Sequence, residues 1–236
     1  MITLFQYEIS PFCDKIRRVM NYKNLEYKTV NFSLADTAKG ELKKLYSAGK
    51  VPVIKIHGST LGDSSTIAAY LEKKFPEPAL IPEDPKEKAL VHFLEDWADE
   101  SLYFYEIYLR FNIAKNREKV IPELSKFDNA ALQKIAPVAI PHAMKKMLNN
   151  QGIGRKALPL ILSDIEKHVE AINDWLSGGN WLVGNNITLA DIAVYSQLQC
   201  INQTPEGSQI IGKKPAVTAW LERVATSTEK QAAIAA

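Results

Sequence analysis

The chain has 236 residues, 46% of them hydrophobic and 24% charged, which allows a real core and gives no compositional sign of disorder. Its 29 basic and 27 acidic residues leave a net charge of +2, which argues against a nucleic-acid binder that works through bulk charge. No apolar run approaches the roughly 18 residues of a membrane-spanning helix, and the opening "MITLFQYEIS" has no basic region followed by an apolar one, so neither a membrane role nor an export signal is expected.

The first 75 residues alternate strand and helix signals. "ITLFQY" is a short strand of β-branched and aromatic residues. In "SPFCDKIRRVM", Phe12, Ile16, Val19 and Met20 fall at helical spacing, with Lys15, Arg17 and Arg18 mostly on the other side. "YKTVNF" is a second strand, and residues 36–47 form a polar helical stretch. "VPVIKI" and "STLG" are a third and fourth strand, and "SSTIAAYLEKKF" is a helix that buries Ile67, Tyr70 and Leu71. "PEPALIPEDP", residues 76–85, is too rich in proline for a helix or a central strand and reads as a linker. Residues 86–236 read as helices, at about 86–115, 130–150, 158–177, 188–202 and 215–226, with Pro137 and Pro141 expected to break or kink the second. An apolar stripe runs through Leu158, Ile161, Leu162, Ile165, Val169, Ile172, Trp175 and Leu176, and the tail "STEKQAAIAA" is expected to fray.

Chemistry concentrates in the N-terminal part. Serine followed by proline marks a helix start, so Ser10 is a cap and Pro11 the first helical residue. That reading is complete in itself, with Cys13 a small core residue. The same helix end also presents unpaired N–H groups and a positive dipole end that stabilise a thiolate, the protein's or a ligand's. Val51–Pro52 at the start of a strand suits a cis bond and leaves the Val51 main chain free to pair with an extended peptide. Asp63, Ser64 and Ser65 head a helix, as redundant caps or as a nest for a carboxylate or an amino-acid head group. In "GNNITLADIAVY", Thr188 and Asp191 form a capping box flanked by Ile187 and Ile192, a folding device. Cys13 and Cys200 lie far apart and read as reduced thiols of a cytoplasmic protein, and His57, His92, His142 and His168 show no metal-ligand spacing, so no metal is expected.

Taken together, "SPFCDKIRR", "KVPVI", "GDSSTIAAYL" and "GNNITLADIAVY" resemble the cytosolic glutathione transferases over nearly the whole chain. The resemblance implies a thioredoxin-like α/β domain at 1–75, the linker at 76–85, and an all-helical domain at 86–236 that supplies the electrophile pocket and dimer contacts. It implies a detoxifying enzyme with glutathione as co-substrate, no bound cofactor, and a homodimeric assembly.

 The glutathione cysteinyl backbone would pair with Val51, next to Lys50 and Pro52, and its γ-glutamyl group would meet Asp63 and Ser64. Its thiol would point at Ser10, whose hydroxyl donates to the thiolate as in serine-type transferases.

Glutaredoxins, omega-like transferases and the type-two prostaglandin E synthase resemble this motif but carry cysteine where this chain has Ser10, so transfer is expected here rather than thiol reduction. Cys13 stands where a glutaredoxin's resolving thiol would be, and a glutathione-dependent isomerase or reductase using Cys13 is the alternative enzyme. Tyr7, near the end of the first strand, is a further candidate for thiol activation. The aromatic run "DESLYFYEIYLRF" offers Tyr103, Tyr105 and Tyr108 as walls for a small hydrophobic electrophile. "DWADESLY" and "QGIGR" resemble segments of the metaxin and failed-axon-connections relatives, which leaves a non-catalytic scaffold on the same fold as the other alternative.

Overall fold

The computed structural model describes residues 1–230. Four strands, β1 (Ile2–Gln6), β2 (Tyr27–Asn31), β3 (Val53–Ile56) and β4 (Ser59–Gly62), form one mixed sheet in the order β2-β1-β3-β4. β1 runs parallel to β2 with Leu4 opposite Thr29, and antiparallel to β3 with Leu4 opposite Ile54. Helices α1 (Pro11–Tyr22) and α4 (Ser64–Lys74) pack against this sheet through Ile16, Val19, Met20, Ile67 and Leu71, all fully buried. On α4, Ala68 joins the core and Tyr70 is only half-buried. The polar stretch after β2 divides into two short helices, α2 (Leu34–Ala38) and α3 (Glu41–Leu45), because Gly40 adopts a left-handed conformation between them.

From Pro85 onward every regular element of the described residues is helical. Helix α5 (Pro85–Trp97) continues through a π-helical segment (Ala98–Leu102), α6 (Tyr103–Ile107) and a second π-helical segment (Tyr108–Asn112). Helices α7 (Ala114–Ser125), α8 (Ala130–Gln151), α9 (Leu158–Leu176), α10 (Leu189–Asn202), α11 (Pro205–Ile211) and α12 (Pro215–Ser227) follow. At the centre is α10, buried on all sides, as expected of a helix with apolar residues around its whole circumference.

Several expectations are corrected. Lys15 is not on an outer face: it is fully buried, because α1 lies between the sheet and the helical part, and Arg17 and Arg18 are largely covered as well. Helix α8 does not break at Pro137 or Pro141. Gln133 and Pro137, whose carbonyls lose their helical donors, are exposed, so water can satisfy them. Helices α7 and α11 lie outside the sequence expectations. The α9 stripe buries Ile161, Ile165, Val169, Ile172 and Leu176, whereas Trp175 is half-exposed and its indole N–H donates to the Leu182 carbonyl at 2.9 Å. The start of the tail is docked rather than frayed: Thr228 is buried, and its hydroxyl accepts from Arg18 at 2.7 Å. The remainder of that tail, residues 231–236, lies outside the described residues.

Candidate active site

Ser10 is the N-cap of α1, with extended backbone geometry (φ −77°, ψ 125°) and Pro11 in the first turn. Its Oγ accepts a hydrogen bond from the Cys13 N–H at 3.4 Å, a long contact for a cap. As a cap the hydroxyl is loosely engaged, and it also bonds the buried Cys13 thiol of the same turn. The loop that carries it is held more firmly. The Ser10 N–H donates to the Tyr7 carbonyl at 3.1 Å, and Arg110 Nη2 donates to the Ile9 carbonyl at 3.1 Å.

The Val51–Pro52 peptide bond is cis. Val51 precedes the first paired residue of β3, so its main chain lies outside the ladder. Pro52 is buried behind it and Lys50 is exposed. Asp63 caps α4, accepting from the Thr66 N–H at 2.9 Å, and holds φ 72° with ψ 125°, a sparsely populated backbone conformation for a residue other than glycine.

Ser64 opens α4 and is buried beside a charge cluster that sequence reasoning did not find. Lys15 Nζ lies 2.5 Å from Glu95 Oε1 and 2.7 Å from Asp99 Oδ2. Ser65 donates to Glu95 at 2.5 Å, while the Ser64 hydroxyl reaches Lys15 and Asp99 only at 3.5 Å, the outer limit of such a bond. Burial lifts the Asp99 carboxyl above its ordinary range, with Lys15 opposing, and Asp99 Oδ1 is buried without a partner. Asp99 comes from the first π-helical segment and Arg110 from the second. Both segments thus supply a side chain that reaches the N-terminal part, consistent with the frequent use of π-helical turns at functional sites.

The remaining candidates separate. Cys13 is fully buried, and burial pushes its thiol up to about 11, so at neutral pH it is protonated and inert. Cys200 is pushed up to about 12 for the same reason. The Tyr7 hydroxyl is committed to α2, donating to the Ser33 carbonyl at 3.3 Å and sharing a close contact with Thr37, and burial raises its pKa. Tyr103 packs on Phe12 of α1 with ring centroids 4.8 Å apart, which sets it against the turn that carries Ser10. The hydroxyls of Tyr105 and Tyr108 go instead to Asp164 at 3.4 Å and the Lys156 carbonyl at 3.2 Å. Among the described residues no cluster of histidine, cysteine or carboxylate side chains could hold a metal, and no helix is long and apolar enough to cross a membrane.

Residues 4–79 match the family described as glutathione S-transferase, N-terminal domain, and residues 136–227 match glutathione S-transferase, C-terminal domain. The chain is similar to an isoprene-epoxide–glutathione S-transferase of Rhodococcus sp. (strain AD45), 25% identical over 95% of this chain and 98% of that protein. A probable maleylacetoacetate isomerase of Caenorhabditis elegans is 36% identical over 36% of this chain and 41% of its own length. Among solved structures, a glutathione S-transferase from Rhodospirillum rubrum F11 superposes with a TM-score of 0.68 at 22% identity, covering 96% of this chain and 88% of that one. With both halves matched, the chain belongs to the glutathione S-transferase family and is an enzyme of the transferase class.

Proposed function

We propose that the chain binds glutathione along the edge formed by Val51, Pro52, Asp63 and Ser64, and conjugates it to a small hydrophobic electrophile at Ser10. The observation that carries this reading is the loosely engaged hydroxyl at the head of α1, 3.4 Å from the nearest cap N–H. A thiolate placed there meets the positive end of the helix and one charge-assisted donor. The site lowers the thiol pKa, and the sulfur lone pair attacks the electrophile carbon while the leaving group, or an epoxide oxygen, takes up the negative charge. Holding the two reactants together supplies much of the remaining acceleration.

On this reading residues 1–75 hold glutathione, 76–85 connect, and 86–236 offer the electrophile wall, with Tyr103 packed on Phe12 of α1. An epoxide is the first electrophile to assay, since the relative matched over nearly its full length is named for one. A cytoplasmic, detoxifying homodimer accords with the family, and the exposed Leu90 and Phe93 on α5 give a second copy an apolar surface. The buried thiol of Cys13 weighs against the reductase alternative.

The test is an ultraviolet difference titration with glutathione at neutral pH. A saturable thiolate band, absent with S-methyl glutathione, is the expected result. Binding without that band, or no binding, would overturn the reading in favour of a scaffold or another ligand.

A further inference from the structure

Glu106 and Arg110 take no part in the chemistry described above, yet both are buried deep in the helical part, at 0% and 4% exposure. Arg110 Nη1 donates to Glu106 Oε2 at 3.0 Å, one helical turn away. Its other terminal nitrogen, Nη2, leaves the helical part and donates to the Ile9 carbonyl at 3.1 Å. That carbonyl belongs to the peptide group whose N–H is Ser10's own, and the N–H is fixed by the Tyr7 carbonyl at 3.1 Å. The peptide entering the cap is therefore pinned at both ends, once from within its turn and once from the second π-helical segment.

Beyond this peptide the Ser10 side chain has its 3.4 Å contact with the Cys13 N–H and a hydrogen bond with the Cys13 thiol of the same turn, and nothing from another element. The direction of its Cα–Cβ bond is set by the peptide plane rather than by the hydroxyl's own bonding. The ion pair itself is a poor source of stability. Burying two charges is costly, and an apolar pair of similar volume is often as stable or more so. Glu106 Oε1 adds to that cost, since it is buried with no hydrogen-bond partner. A lysine in place of Arg110 could keep the pair, but only the planar fork serves a carboxylate and a separate carbonyl together.

We propose that Arg110 is a positioning residue for Ser10: through the Ile9 carbonyl it orients the cap so that the serine hydroxyl addresses the glutathione sulfur. The proposal rests on the reading of Ser10 as the thiolate's donor. It concerns a contact across the two parts of the chain, so the segment beside the electrophile wall also sets the geometry of the nucleophile's partner.

The experiment uses the full chain with glutathione as the probe, measuring the thiolate band at saturation and the dissociation constant by calorimetry. Two changes are compared, Arg110→Lys, which keeps the ion pair but not the fork, and Glu106→Leu with Arg110→Met, which removes the buried charges together. Each is expected to lower the thiolate band about threefold to tenfold, the worth of one misaligned hydrogen bond, with the dissociation constant held within about twofold. Placed in a Ser10→Ala background, the same changes are expected to have no further effect on the band. A wild-type band in both variants, or an equal loss with and without Ser10, overturns the proposal, because a purely structural role predicts one or the other. If the unsubstituted chain shows no band, or Ser10→Ala leaves it unchanged, the reading of the site fails before Arg110 is touched.

Discussion

Helices α1 and α10 begin with the same chemistry, a hydroxyl residue at the cap, and differ in how completely that cap is satisfied. At α10, Thr188 and Asp191 form a reciprocal capping box, and Asp191 also accepts from the Leu182 N–H and the Trp220 indole, each at 2.9 Å. Both residues are buried, and Ile187 and Ile192 close over them as a hydrophobic staple. At α1, Ser10 is only part-buried, and the one N–H it caps is held by a long bond. A cap with all its partners present can only hold the chain in place. One whose hydroxyl is barely used as a cap can hold something else as well, and this distinguishes the folding motif from the one proposed to be reactive.

The largest way to break the contrast is Asp191→Ala. It strands the N–H groups of Leu182 and Thr188, the Thr188 hydroxyl and the Trp220 indole. The expected loss is about 3–5 kcal/mol of folding stability. A denaturant midpoint within error of the parent would show that the box is dispensable. The opposite result is expected of Ser10→Ala. Its kcat/KM for conjugation should fall about 10- to 100-fold, the worth of one hydrogen bond to a charged group. Its stability should fall by only about 0.5–1 kcal/mol, as for a part-buried cap with one long bond. Equal losses of stability at the two caps would erase the distinction.

The smallest change is expected of Cys13→Ala, whose backbone N–H still reaches Ser10. Conjugation should continue at the parental rate, and loss of turnover would revive the redox alternative. The thiol does leave a mark on the alkaline side. Its folded pKa is raised by burial from 9.0 to about 11, so between these values the folded state binds the proton that the unfolded state releases. The stabilisation is complete below about pH 9 and is lost as pH rises toward 11. A stability profile across that window should flatten in the alanine variant.

What was legible in the sequence was local chemistry. Ser10–Pro11, Val51–Pro52, the Asp63 cap and the Thr188–Asp191 box each lie within a few residues, and each is found where its side chains dictate. Thr204–Pro205 carried the same signal as Ser10–Pro11 and marks the start of α11, so that helix was within reach of the same argument. Lys15 was not. Helical spacing sets it with Arg17 and Arg18, and its burial is decided by Glu95 and Asp99, some eighty residues further on. The π-helical segments that aim Asp99 and Arg110 at the N-terminal part have no signature in composition or periodicity. The serine was thus readable, and the residue that holds its loop was not.

The Lys15 cluster also bears on how the molecule comes apart. One ammonium on α1 is held by two carboxylates on the α5 side and lies against the serines that open α4. Parting the sheet-bearing portion from the helices would let water solvate one positive and two negative groups, so the cluster fixes which faces meet more than it adds to their adhesion. The same seam is flanked by one continuous apolar cluster that runs from Leu4 and Ile16 to Ile192 and Trp220, so opening it exposes core from both portions at once, and their unfolding is coupled through that shared core.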